Sequence, residues 1–454
     1  MKKLKIVSIV LLVLLIGLQS MAQRPIIQTK YTADPAPMVY NDTVFLYTGH
    51  DEDDAMGFKM LNWLLYTSTD MVNWTEHGVV ASLDNFDWVP HVNGAWAAHC
   101  IERNGKFYLY CPMPGGVGIG VLVADSPYGP FIDPLGKPLI QNSHHDIDPA
   151  VFIDDNGQAY MYWGNPKVYY VKLNEDMISY SGEIVQEPST PKNYQEGPWV
   201  WKRNEHYYLA YASTCCPEGI GYAMSSSPTG PWEYKGMIMD ATELSRGNHP
   251  GIIEFKGNWY CFGHTYDLLK LTTTKFYERR SVMLDEMIYN PDGTIQNRPY
   301  WTVAGPSQVG SLNPFERVEA ETMAWSEGVK TRSETEWEGD FDWARGERIA
   351  DRKFVTSINH GDYIMVKGAD FSSGAKSVEV SVASLYGGKI EIRIDKIDGP
   401  IIATVDVNTS REGGIWRTFS APVNEKAKGV RDVYFVFRGE KDLFDFDWWM
   451  FNRN

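Results

Sequence analysis

Cysteines, positive charges and long apolar runs are all scarce in this 454-residue chain. Its five cysteines, Cys100, Cys111, Cys215, Cys216 and Cys261, lie at none of the spacings of a zinc site, and an odd number cannot all pair within one chain. Buried free thiols are the expected state, with a Cys100 to Cys111 bridge left open in an oxidising compartment. Lys and Arg number 42 against 58 Asp and Glu, a formal net charge of −16. Nucleic acid and anionic membrane surfaces would repel such a chain unless it carried a concentrated basic patch, and the sequence has none. Past the amino terminus no segment is apolar for long enough to span a bilayer, so membrane insertion is not expected.

The amino terminus is the exception. Lys2, Lys3 and Lys5 precede the apolar run from Ile6 to Leu18, and Ser20-Met21-Ala22-Gln23 follows. That is the layout of a secretory signal over residues 1–23, too short for a membrane span and with no cysteine to accept a lipid. An exported protein, periplasmic or extracellular, is expected.

Aromatic residues are plentiful, with 16 Trp and 26 Tyr. Such rings serve a β-sheet core, and they also stack well against a sugar face. Helical periodicity is nearly absent. Instead a hairpin pattern recurs every 50 to 60 residues: Asp34 to Gly49, Ala97 to Pro112, Asp148 to Gly164, Glu196 to Ser213 and His249 to His264. Each begins with a polar or small residue and continues as an apolar strand, a turn around Asn-Asp, Asn-Gly, Asn-Glu or Gly-Asn, and an aromatic-rich strand. Further strands are expected at Trp63 to Ser68, Ile119 to Ala124, Val168 to Leu173 and Gly221 to Ser225. The phrases Ser126-Pro127-Tyr128-Gly129-Pro130 and Ser227-Pro228-Thr229-Gly230-Pro231 repeat, with Asp70-Met71-Val72-Asn73-Trp74 in the equivalent place of the first unit. The pattern implies an all-β chain: a five-bladed β-propeller over residues 24–308, then a β-sandwich of jelly-roll type over 312–454. Within the second region strands are expected at Ser377 to Val382, Lys389 to Ile394 and Asp432 to Phe437, and Ser333 to Glu347 reads as a loop.

If each hairpin begins at the same rim of a central funnel, Asp34, Asp148 and Glu196 meet there, with Ala97 and His249 in the two remaining places. Three carboxyl groups around one pocket cannot all ionise cheaply, so one is expected to stay protonated near neutral pH. A protonated acid and an ionised base held about 6.5 to 9.5 Å apart are what inverting glycosidic cleavage needs. The prolines after Asp34 and Asp148 fix the next φ and help aim the carboxylates. The run His50-Asp51-Glu52-Asp53-Asp54 reads as a solvated loop rather than a metal site.

These residues resemble glycoside hydrolase family 43, through Ala33-Asp34-Pro35, the block Asp148-Pro149-Ala150-Val151-Phe152 to Asp155-Asn156-Gly157, Glu196-Gly197-Pro198, and Tyr289-Asn290-Pro291-Asp292-Gly293-Thr294-Ile295. The resemblance implies a five-bladed propeller with Asp34 as general base, Glu196 as general acid, and Asp148 as the group that modulates the acid and keeps it protonated and aimed. It also implies an arginine on the sugar, Arg280 with Arg279 as the neighbour that could be confused with it, and an ion near the propeller axis at His249. Trp88, Trp96 and Trp163 are candidates for lining the sugar pocket. The wording Tyr47-Thr48-Gly49-His50-Asp51 and Arg280-Ser281-Val282 resembles members that debranch arabinoxylan. An exo-acting α-L-arabinofuranosidase on plant hemicellulose is the first expectation and a β-xylosidase the second. A non-catalytic sugar-binding protein and a retaining, invertase-like enzyme remain open.

Past residue 312 the chain resembles a family 6 carbohydrate-binding module, through Phe315-Glu316-Arg317-Val318-Glu319-Ala320-Glu321, Asn359-His360-Gly361-Asp362-Tyr363, Gly387-Gly388-Lys389-Ile390-Glu391-Ile392-Arg393 and Leu443-Phe444-Asp445-Phe446-Asp447-Trp448. This implies a structural calcium held by Glu319, Glu321 and Asp447, and no organic cofactor. It also implies sugar stacking at Trp416. Ser357 stands where a second ring is usual, and Asp445 where an asparagine is.

Overall fold

The computed structural model describes residues 25–90, 92–113, 115–334, 341–342, 347–348, 352–384, 386–408 and 415–453. The signal-peptide expectation at 1–23 lies outside these residues, as does most of the expected loop at 333–347. Among the described residues the only α-helix is a single short one, Asp267–Thr272. None is long and apolar enough to cross a membrane.

The recurring hairpins become five antiparallel sheets whose innermost strands are Tyr31–Tyr40, His99–Arg103, Ala150–Ile153, Tyr194–Arg203 and Gly251–Phe255. Each neighbours the next, and the fifth returns to the first, so the sheets close into a β-propeller around an axis. Turn chemistry sets the register. Asn41 and Asp42 adopt φ of 47° and 56° between Tyr40 and Thr43, and Asn104 with Gly105 does the same between Arg103 and Lys106. Two successive left-handed residues match the right-handed twist of the flanking strands, which is why Asn, Asp and Gly occupy these corners. The repeated Ser-Pro phrases tie sheets together. The Pro127 carbonyl accepts the Tyr47 hydroxyl at 2.7 Å, and the Pro228 carbonyl accepts the Tyr162 hydroxyl.

The second domain packs two sheets around Val, Ile and Phe side chains. One runs in the order 330–333, 353–356, 444–452, 377–384, 416–422, and the other 325–327, 363–370, 430–438, 388–394, 401–407. The two domains are stitched together. Thr322–Met323 adds a further strand to the first propeller sheet beside Trp74–Ser82, and Asn73 and Gln308 both donate to the Lys367 carbonyl. Glu76, buried on the propeller, accepts from Thr29 at 3.1 Å and from Thr331 of the sandwich at 2.6 Å.

Candidate active site at the propeller axis

Asp34 and Asp148 sit at the entry of their inner strands with φ of 53° and 57°. Positive φ is uncommon for a residue with a side chain, and Asp tolerates it better than most. Each Asp precedes a proline, and around Asp34 the strand register shifts between Ala33 and Ala36. In the fourth sheet the left-handed residue before proline is Gly197, φ 61°. The equivalent of Asp34 and Asp148 is therefore Gly197, and Glu196 stands one residue earlier, between two register shifts of its own strand. The reason for glycine is local: a Cβ at 197 would lie 2.8 Å from the His249 ring.

A cavity of about 310 Å³ opens over these residues and is lined by Asp34, Asp148, Glu196, Glu218, His249 and Arg280, with Phe58, Met60, Trp96 and the Cys215-Cys216 pair on its walls. His249 is the hub. Its Nδ1 lies 3.6 Å from Asp34 Oδ1, and its Nε2 lies 3.7 Å from Asp148 Oδ2 and 3.6 Å from Glu196 Oε1. Burial alone would lower the His249 pKa, but the carboxyls of Asp148, Asp34 and Glu196 together raise it to about 10, so the site favours the imidazolium.

Arg280 enters the site and Arg279 does not. Arg280 Nη1 donates to Asp34 Oδ1 at 3.1 Å, while its Nε and Nη2 grip both oxygens of Asp51 at 2.9 Å. Arg279 instead donates to the Ala55 carbonyl and lies over the Tyr277 ring. This corrects the reading of the acidic run. Asp53 and Asp54 reach surface lysines, but Asp51 is fully buried and fixes the guanidinium in a two-pronged pair. His264, also fully buried, accepts the Asp34 N–H at Nδ1, and its Nε2 donates to the Arg246 carbonyl at 2.9 Å.

The protonation pattern differs from the one expected for the acids. Burial raises Asp148 to about 8, with Glu196 and Asp34 adding to it against His249, and Asp148 Oδ2 has no hydrogen-bond partner. Burial would raise Glu196 too, but His249, the Asn165 amide and Arg280 outweigh it and hold this carboxyl below its ordinary range. The surroundings thus favour a proton on Asp148 over one on Glu196. Asp34 is raised by burial, against the pull of Arg280 and His249.

Three aromatic assignments change. Trp163 is wholly buried, stacks on Tyr169 and donates its indole N–H to Asp146, so it packs the sheet and does not line the cavity. Trp88 lies against Phe86 and donates to Asp133. Trp96 does line the cavity. Trp416, in the sandwich, has Arg352 over its ring at 5.0 Å and gives its N–H to Glu334, so neighbours already hold the ring expected to stack on sugar. Asp445 accepts from Thr356 at 2.6 Å.

Sequence reading also missed Glu218 and Asn165, which lie outside the repeated hairpins, and the part played by His264, which closes the fifth. Three cysteines are as expected and two are not. Cys100, Cys111 and Cys261 are buried free thiols, so no Cys100 to Cys111 bridge forms, while Cys215 and Cys216 are joined as a disulfide.

Among the described residues, two places have carboxylate donors gathered for a cation. Asp148, Glu196 and His249 each point one ligand-type atom into a common space, although His249 would first have to lose its proton. At the domain junction a larger cleft of about 540 Å³ is lined by Glu76, Arg317, Glu319, Glu321, Arg352 and Asp447. There Glu321 Oε2 and Asp447 Oδ1 are buried without hydrogen-bond partners, and burial pushes Glu321 well above its ordinary range. Orphaned buried carboxylate oxygens suit a hard cation such as calcium. Arg317 stands between Glu319 and Asp447 at 2.8 and 3.6 Å and takes part of that role.

A model of glycosyl hydrolases family 43 matches residues 22–295, and one of family 6 carbohydrate binding modules matches residues 319–453. The arabinoxylan arabinofuranohydrolase of Bacillus subtilis (strain 168) is 34% identical, over 94% of this chain and 92% of its own length. That of Paenibacillus polymyxa is 33% identical, over 95% of this chain and 74% of its own. The crystal structure of a family 43 arabinoxylan arabinofuranohydrolase from Bacillus subtilis, in complex with cellotetraose, superimposes with a TM-score of 0.82 at 32% identity, covering 96% of this chain and 98% of that one.

Proposed function

This chain belongs to glycosyl hydrolases family 43, and from that premise we propose that it removes single α-L-arabinofuranosyl units from arabinoxylan by single displacement with inversion, outside the cytoplasm. It is an O-glycosyl hydrolase with an oligosaccharide or polysaccharide substrate. The finer reading is supported by two relatives of that activity, similar over nearly the whole of this chain. The observation that carries it is the convergence of Asp34, Asp148 and Glu196 on His249 in one cavity with a buried arginine.

In this reading Asp34 is the general base. Arg280 and the His264 contact to its backbone fix its direction, and burial raises its affinity for a proton against the pull of Arg280 and His249, as a group that takes a proton from water requires. Glu196 is the general acid, and it must acquire a proton before it can act. A glycosidic oxygen arriving at Glu196 displaces the Asn165 amide, removes one donor that favours the ionised carboxylate, and moves the shared proton from Asp148 toward Glu196. Asp148 is then the proton reserve of the cluster and His249 its electrostatic centre. Asp51 acts through Arg280 as a positioning residue. In the sandwich, Glu319, Glu321 and Asp447 would hold calcium, whose charge would neutralise the buried carboxylates where the domains meet.

The test is the product profile on defined arabinoxylan oligosaccharides, with the first-formed anomer followed by NMR. Release of arabinose as the β-anomer is expected. Release of xylose alone would overturn the substrate reading, and first appearance of the α-anomer would overturn inversion. Secretion is checked by finding the processed protein in the periplasm or medium; accumulation of the full-length chain in the cytoplasm would contradict it.

A further inference from the structure

The connection between strands His206–Ser213 and Gly219–Ser225 belongs to the sheet that carries Glu196, and it brings Cys215, Cys216 and Glu218 to the cavity wall. Both cysteines are exposed and disulfide-linked, while Glu218 is only 2% exposed. Its N–H donates to the Ser245 carbonyl at 3.0 Å, and its Oε2 accepts the Asn248 N–H at 3.1 Å. Oε1 meets Cys216 Sγ at 4.0 Å, and a disulfide sulfur has no proton to donate. Glu218 is thus buried at the cavity wall, held from the chain side by the Asn248 and Gly247 backbone N–H groups with the disulfide beside Oε1, and a carboxylate has room for a further donor from the cavity side. Glu218 Oε2, Glu196 Oε1 and Arg280 Nη1 all lie within 3.9 Å of the point where a side chain on Gly247 would begin, so Glu218 shares the space next to the proposed acid.

We propose that the loop Thr214–Glu218 is a substrate-binding element, in which Glu218 takes a hydroxyl of the bound sugar and the Cys215-Cys216 disulfide covers one of its C–H faces. This deepens the reading above and rests on it for the identity of the sugar. The division of labour follows from chemistry. A monosaccharide presents hydroxyls at its edge and C–H groups on its faces. Among the other polar groups of the cavity, Asp34, Asp148 and Glu196 face His249, Arg280 holds Asp34, Asn165 joins Glu196 to Gln195, and Arg246 pairs with Glu278. A disulfide offers a polarizable apolar surface beside them, facing a pocket whose other apolar side chains are Phe58, Met60, Trp96, Ala97 and Ile147. Because the two sulfurs are already bonded to each other, they are not thiolate ligands, and a metal site with Glu218 is not what the geometry supplies.

Steady-state constants decide the matter for wild type, Glu218→Gln and the double variant Cys215→Ser/Cys216→Ser, measured on whichever of the nitrophenyl α-L-arabinofuranoside and β-D-xyloside the enzyme cleaves faster. Loss of one charged hydrogen bond to the sugar should raise KM about tenfold in Glu218→Gln, with kcat falling less. The double variant should raise KM several-fold, and reduction plus alkylation of the folded wild type should reproduce that rise without any substitution. Circular dichroism establishes that each form is folded. Wild-type KM in Glu218→Gln and in the alkylated enzyme would overturn the inference, as would a kcat loss as large as that of Glu196→Gln at unchanged KM. A preference for the xyloside would sink the arabinoside reading while leaving the same KM comparison to judge the loop.

Discussion

Changing Gly197 to alanine tests whether the His249 hub is what holds the three acids in register. Two costs can be separated. The residue sits at φ 61°, where a Cβ costs roughly 1–2 kcal/mol of backbone strain. The new methyl would also lie 2.8 Å from His249 Cγ, 2.9 Å from Cδ2 and 3.2 Å from Nδ1. Contacts under 3.0 Å force a shift, and any shift of the ring carries away nitrogens that face Asp34, Asp148 and Glu196. Gly157 is the control. It has φ 82° in the turn of the third hairpin, and a Cβ there would meet nothing within 4 Å. Gly157→Ala should therefore show the strain alone, a fall in Tm of roughly 2–6 °C with unchanged kcat. Gly197→Ala should lower Tm further and cut kcat/KM by about a hundredfold, the scale expected when catalytic groups are misplaced by about 1 Å. Thermal melts and initial rates on a nitrophenyl glycoside are sufficient. If Gly197→Ala matches Gly157→Ala in both readouts, the ring does not depend on that glycine and the hub argument fails.

Glu196→Gln should lose about a thousandfold in kcat on arabinoxylan and far less on a nitrophenyl glycoside, whose leaving group needs no proton; equal losses would remove Glu196 from the acid role. Burial pushes Asp148 up to about 8, so its stabilising contribution is complete below the unfolded carboxyl value of about 3.9. That contribution fades as pH rises through 8, and the His249 contribution, complete below about 6.5, fades as pH rises through about 10. Tm should consequently fall from pH 6.5 to 9.5, less steeply in Asp148→Asn, and an identical slope in both would contradict the assigned proton. Millimolar calcium should raise Tm and chelation lower it, with the response lost in Glu321→Gln; a calcium response that survives this substitution would place the ion elsewhere.

The repeat made the propeller legible. Hairpin corners need Asn, Asp or Gly at left-handed φ, and inner strands need apolar residues on both faces, so the blade pattern is written in residue types alone. The same repeat pointed to Asp34, Asp148 and Glu196, though it aligned Glu196 one place too far along, because glycine and aspartate share a left-handed slot for different reasons. Trp163 shows the limit of composition: a tryptophan near a motif can pack a sheet or line a pocket, and only its neighbours decide.

The sequence by itself determined the element types, the two domains' β character and the acids of the rim, since those depend on local turn chemistry and on residue spacing. Tertiary structure decided which groups answer one another across the axis. Arg280 is 246 positions from Asp34 and 229 from Asp51, and Glu218 reaches the cavity from a loop that no repeat marks. Proton placement belongs to the same class. Whether Asp148 or Glu196 holds the proton depends on burial and on charges within a few ångströms, and those distances exist only once the sheets have closed.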